Sequence, residues 1–144
     1  MADIDKDDVK RPDMPRDLWS AKVSVDAGLA FERTYLTMAS DGGEAAKKVR
    51  EAAIRDYDPD NMAELVVSFL DLSRVAGGRE VYFSDPPQVG GKYVRGVYWL
   101  KANPGPGFHI VAGTIEEAFR HVRKADHYGH AIDQARQLPG TFVH

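Results

Sequence analysis

Apolar and polar positions alternate over Trp19–Val25, with Trp19, Ala21, Val23 and Val25 on one side and Ser20, Lys22 and Ser24 on the other. A period of two is that of a half-buried strand. Asp26-Ala27-Gly28 has turn chemistry, so the following LAFERTYLTMA returns as the second arm of a hairpin. From Asp41 the period lengthens. Ala45, Val49, Ala52 and Ala53 share one helical face, and Asp41 with Glu44 forms a capping box that satisfies free N–H groups of the first turn. This predicts a helix to about Tyr57.

Asp58-Pro59 closes that helix and opens another, with Asp58 as cap and Pro59 at the position where a missing N–H costs nothing. Met62, Leu65, Val66, Phe69 and Leu70 recur at helical spacing, so residues 62–72 read as helix; ELVVSFL is also short enough for a buried strand. REVYFSD is a strand stopped by Pro86-Pro87, and KYVRGVYWLKA and FHIVAG are strands joined by the turn NPGPG. Thr114 and Glu117 cap the last helix. Its stripe of Ile115, Ala118, Phe119, Val122, Ala125, Gly129 and Ile132 carries it to about Gln137. The predicted order is β-β-α-α-β-β-β-α, an α+β fold whose mostly antiparallel sheet of about five strands has two or three helices on one face.

Within this pattern one segment is written twice. ASDGGEAAKKVREA (Ala39–Ala52) and AGTIEEAFRHVRKA (Ala112–Ala125) share six of fourteen positions without a gap, and each follows a hairpin strand. A hairpin–helix pseudo-repeat is the economical reading, although any capped amphipathic helix asks for similar residues at these offsets.

Composition adds limits. At 144 residues, 43% hydrophobic and 28% charged, the chain is long enough to bury one core. It contains no cysteine, which rules out disulfides, thiolate nucleophiles and Cys-ligated metal. Residues 1–17 mix Asp with Lys and Arg and carry Pro12 and Pro15, so they read as a charged arm ahead of a single domain over 18–144. No apolar segment there resembles a secretory signal, and no run approaches a membrane span; a cytoplasmic, membrane-free protein is expected. The net charge of −3 divides unevenly: from Lys92 onward seven Lys and Arg face four Asp and Glu. An excess of cations in that part fits an anionic partner.

Three clusters are candidates for chemistry. Tyr93, Tyr98, Trp99 and Phe108 crowd the 93–112 hairpin beside Arg95 and Lys101, a composition enriched where proteins dock; Tyr93, Arg95, Tyr98, Trp99 and Lys101 are the expected partner-binding set. Arg120, Arg123, Lys124 and His127 fall at offsets of three and four on the last helix, a face able to contact phosphates. His127 and His130 lie three apart but lack a third ligand, so no metal or other cofactor is expected. His109 alternates with Phe108 and Ile110 and points to the opposite sheet face, where Glu32 or Tyr98 would orient it as a base.

Gly91-Lys92 is no phosphate loop, because Pro86 and Tyr93 stand where a glycine and a Ser or Thr are required. No nucleophile elbow is present. The expectation is a non-enzymatic protein–protein interaction protein: an accessory subunit, an assembly component or a small inhibitor of the kind phages and mobile elements encode. Self-association belongs to the same reading. Nucleic-acid binding through the basic helix face and a small enzyme with a His/carboxylate site are the alternatives.

Overall fold

A computed structural model describes residues 16–26, 28–58, 65–84, 95–103, 106–125 and 131–144. The hairpin pairs β1 (Asp17–Asp26) with β2 (Ala30–Ala39) along their full length. Gly28 turns the chain at φ 102°, its N–H held by the Asp26 carboxylate at 3.0 Å. Helix α1 (Gly42–Tyr57) follows, and then β3 (Val66–Ala76) pairs antiparallel with β1. A 3-10 turn (Gly78–Glu80) leads into β4 (Val81–Phe83). A second hairpin, β5 (Gly96–Asn103) and β6 (Gly107–Ala112), precedes α2 (Ile115–Ala125), β7 (Ala131–Gln137) and β8 (Thr141–Val143).

The α+β class holds, but the single five-stranded sheet does not. The described residues form two sheets of four strands, ordered β3-β1-β2-β8 and β4-β6-β5-β7. In sheet 1, β1 is antiparallel to β2 and β3, and β8 is parallel to β2. In sheet 2, β5 is antiparallel to β6 and β7, and β4 is parallel to β6. The sheets therefore match strand for strand and sense for sense. The short strands are exchanged: β4 follows the first ββαβ segment in the chain but pairs in sheet 2, whereas β8 follows the second but pairs in sheet 1.

Buried hydroxyls fasten both exchanged strands, Thr37 Oγ1 donating to Val143 O at 2.8 Å and Ser84 Oγ to Val111 O at 3.0 Å. On its other side β8 meets the approach to β5, where Phe142 N–H donates to Arg95 O at 2.9 Å.

Three apolar clusters follow from this arrangement. Val49, Ala52 and Ala53 of α1 pack on Ala21, Val23, Val25 and Tyr35 of sheet 1. Ala118 and Val122 of α2 pack on Tyr98, Leu100, Ile110 and Ala112 of sheet 2. Between the sheets, Leu18, Leu36, Val81, Val97, Val111 and Phe142 close a central core supplied by seven of the eight strands once Ala76 is included. Full burial of each such side chain contributes about 1.5–3 kcal/mol.

Two sequence expectations need correction. Residues 66–76 form a strand, not a helix (Met62 lies outside the described residues). Register shifts leave Leu70 and Val75 without counterparts on β1, so apolar side chains recur at uneven intervals that imitate a helical stripe. The last helix ends at Ala125 rather than Gln137; residues 131–137 pair with β5 instead, because Ile132 packs on the α2 cluster and β5 offers a free edge. Helix formers such as Ala and Gln yield there to tertiary pairing. Of the arm, residues 1–15 lie outside the described set, while Asp17 already belongs to β1 and ion-pairs with Arg74 at 3.2 Å.

Candidate functional site

The capped helices give a ruler between the two halves. Glu44 N–H donates to the Asp41 carboxylate at 2.8 Å, and Glu117 N–H to Thr114 Oγ1 at 3.1 Å. The reciprocal bonds run from Ser40 N–H to Glu44 at 2.7 Å and from Gly113 N–H to Glu117 at 3.2 Å. Hydrogen bonds from the Ser40 hydroxyl and amide, in that order, bring the Glu44 carboxyl down to about 2. Ala39 aligns with Ala112, Asp41 with Thr114 and Val49 with Val122, and sheet pairing extends the alignment to the strands.

On the face of sheet 1 away from α1, Ser20 stands opposite Leu36 on one side and Ser73 on the other. At the corresponding place in sheet 2, Trp99 stands opposite His109 and Arg136. One row further, Lys22 lies between Thr34 and Asp71, and Lys101 between Gly107 and Gln134. The same backbone thus carries serine and leucine in one half and tryptophan, histidine and arginine in the other.

Each member of the sheet 2 row is positioned by its neighbours. A Cβ on Gly107 would come within 2.4 Å of Trp99 Cζ2, so the indole lies across β6 in space that only glycine leaves. The Arg136 guanidinium sits over the same indole, 4.9 Å from the ring centroid and inside the roughly 6 Å reach of a cation–π contact. His109 is only 9% exposed, and its Nδ1 is buried without a hydrogen-bond partner among the described residues. Burial holds its pKa below the ordinary imidazole value; Glu80 opposes the shift and Arg136 assists it. Its counterpart Leu36 is 1% exposed in the central core.

The charges differ as well. Two cations of sheet 1 are ion-paired: Lys22 with Glu32 at 3.1 Å and Arg74 with Asp17 at 3.2 Å. Among the described residues, neither Lys101 nor Arg136 has a carboxylate within ion-pair distance. Where Lys22 faces Asp71 across the strand, Lys101 faces neutral Gln134.

Of the expected docking residues, Trp99 and Lys101 lie on this face of sheet 2, both half-buried. Tyr98 turns the other way and is buried against α2, where burial raises its pKa and leaves it no docking surface. Arg95 sits at the β8 junction, in contact with the His144 ring. Tyr93 lies outside the described residues. His109 does point to the face opposite Phe108 and Ile110, but its orienting groups are not Glu32 or Tyr98: Glu32 is ion-paired in sheet 1 and Tyr98 is on the α2 face.

Arg120 is exposed on α2, whereas the side chains of Arg123 and Lys124 and all of His127 lie outside the described residues. The described residues contain no group of three metal-ligating side chains and no helix long and apolar enough to cross a membrane. Arg136 was missed at the sequence level because its segment reads as helix; the signal that finds it is the Trp99 register.

Comparison of the chain with protein-family models, curated proteins and solved structures finds no match.

Proposed function

We propose that this protein is a non-enzymatic binding protein that docks a protein partner on the face of sheet 2 away from α2, around Trp99, Lys101 and Arg136. The observation that carries the reading is the contrast between two equivalent rows: Arg136–Trp99–His109 in sheet 2 against Ser73–Ser20–Leu36 in sheet 1. The fold does not require the Arg136–Trp99–His109 row, since sheet 1 has the same architecture without it. Trp and Arg dominate binding hot spots because they bury large areas in a defined orientation. An unpartnered buried imidazole costs stability, and residues that do so tend to be kept for function.

The partner is an acidic protein surface. Lys101 and Arg136 lack intramolecular carboxylates among the described residues, and complementary charge on a partner would speed encounter and fix register. The matching topologies and cap geometries also favour an origin by duplication of a ββαβ unit, after which one half kept serine and leucine in this row and the other diverged to tryptophan, histidine and arginine. An accessory subunit, assembly component or small inhibitor, cytoplasmic and of phage or mobile-element origin, fits this reading.

Affinity capture from the cells that carry the gene, followed by size exclusion with light scattering, tests it. A protein retained by the wild-type chain and lost from Trp99→Ala, at unchanged melting temperature, supports the docking face. Retention of the same protein by Trp99→Ala removes it.

A further inference from the structure

Sheet 2 ends on one side in β7, whose outer edge carries no strand among the described residues. Asp133 to Gln137 are all exposed, and nothing among the described residues covers that edge. Leu138 N–H donates to Val97 O, which fixes the phase of the ladder. Amides of an antiparallel strand point alternately inward and outward, so those of Ala135 and Gln137 point away from β5. A single register shift places the surplus residue at Asp133, and Gln134–Gln137 beyond it runs regularly.

The equivalent edge of sheet 1 is different. Surplus residues Leu70 and Val75 break the straight run of β3, and Arg74 there is tied to Asp17. Bulges of this kind blunt an edge against strand addition. The two halves thus treat one structural liability in opposite ways.

We propose that β7 is a strand-addition edge, and that the docked partner contributes an extended acidic segment that becomes the fifth strand of sheet 2. This rests on the docking reading given above and names how the partner is held. Main-chain bonds to the free amides and carbonyls of Ala135 and Gln137 give affinity, as in other strand-addition complexes. Specificity comes from charge. A side chain on the incoming strand that faces the open side beside Arg136 continues the row Arg136–Trp99–His109, and a carboxylate there meets an arginine with no other carboxylate among the described residues. Lys101, one row away on the same face, favours a second acid two residues along the partner strand.

The test is selection of a random twelve-residue peptide display library on the intact chain. Enriched peptides are expected to alternate acidic with other residues, and their affinity is expected to fall at least tenfold on Ala135→Pro. That substitution removes one outward N–H and leaves the inner ladder intact, a position where edge strands tolerate proline. In case the proline variant misfolds, Arg136→Glu with Lys101→Glu is selected in parallel and should enrich basic instead of acidic peptides.

Peptides that bind Ala135→Pro within twofold of wild type, that show no acidic excess, or that fail to enrich at all overturn the proposal. If partner capture is lost on Trp99→Ala but survives on Ala135→Pro, the docking face stands and strand addition fails. If capture survives Trp99→Ala, the docking reading itself fails.

Discussion

Replacing His109 by leucine should make this protein more stable. The buried Nδ1 has no hydrogen-bond partner among the described residues, and an unsatisfied buried polar atom costs about 1–3 kcal/mol. Leucine is already accommodated at the equivalent position in sheet 1, where Leu36 packs in the central core. Some packing will be lost because the pocket formed around a ring, so the net gain expected is about 1 kcal/mol, or roughly 3 °C in melting temperature for a chain of this size. Urea unfolding should show a higher midpoint at unchanged slope, since the surface exposed on unfolding hardly changes.

The pH dependence sharpens this prediction. His109 in the folded protein has a pKa below its ordinary value of 6.5, so below that pH the unfolded chain binds a proton that the native state resists. Its contribution is intact above about 6.5 and is lost as pH falls toward the depressed folded pKa. The advantage of His109→Leu should therefore widen between pH 7 and pH 5. The reverse substitution, Leu36→His, buries a polar ring at a fully enclosed site and should cost about 2–4 kcal/mol. A His109→Leu variant less stable than wild type by 1 kcal/mol or more, or a gap that does not change with pH, would refute the reasoning.

Other outcomes follow from the same geometry. Asp41→Ala and Thr114→Ala each remove a cap and should cost about 1 kcal/mol by thermal unfolding, with similar losses at the two equivalent sites. Phe142→Ala empties a place where β8 joins both sheets and should cost about 3–5 kcal/mol in urea unfolding, lowering both halves in one transition. Gly107→Ala should displace the Trp99 indole and shift its fluorescence against a Trp19→Phe background. Glu44→Gln should remove a stabilising contribution that wild type retains above about pH 4.5 and loses as pH falls toward 2, seen as a gap between the two melting curves that closes on acidification.

Local chemistry was readable in the sequence wherever it was self-contained. Both capping boxes, the Asp26–Gly28 turn and the alternation of β1 need only neighbouring residues, and each is found as written. The repeated Ala-to-Ala segment was visible for the same reason. What could not be read depends on distant pairing. In β3 the bulges at Leu70 and Val75 erase the period of two, and β7 is so exposed that it has no apolar alternation. At three residues, β4 and β8 are too short to carry any period, and nothing local announces that they are exchanged between sheets.

The site follows the same division. Trp99 and Lys101 are singled out by the crowding of aromatic and basic residues around one hairpin, but crowding does not assign faces, and Tyr98 turns inward. The orientation of His109 was legible from alternation with Phe108 and Ile110. Its neighbours were not. Arg136 reaches Trp99 only because β7 pairs with β5, and Glu80 influences His109 only because β4 pairs in parallel with β6.

Matched charge reversal on the two sheets tests the docking face most directly. Lys101→Glu with Arg136→Glu alters sheet 2, and Lys22→Glu with Ser73→Glu places the same two charges at the equivalent positions of sheet 1. Both pairs are compared with wild type by quantitative affinity capture from cells carrying the gene, at low and high salt. The account predicts a salt-sensitive, near-stoichiometric acidic partner that is lost from the sheet 2 variant and kept by the sheet 1 variant. Equal retention by both, or loss from the sheet 1 variant alone, would contradict it.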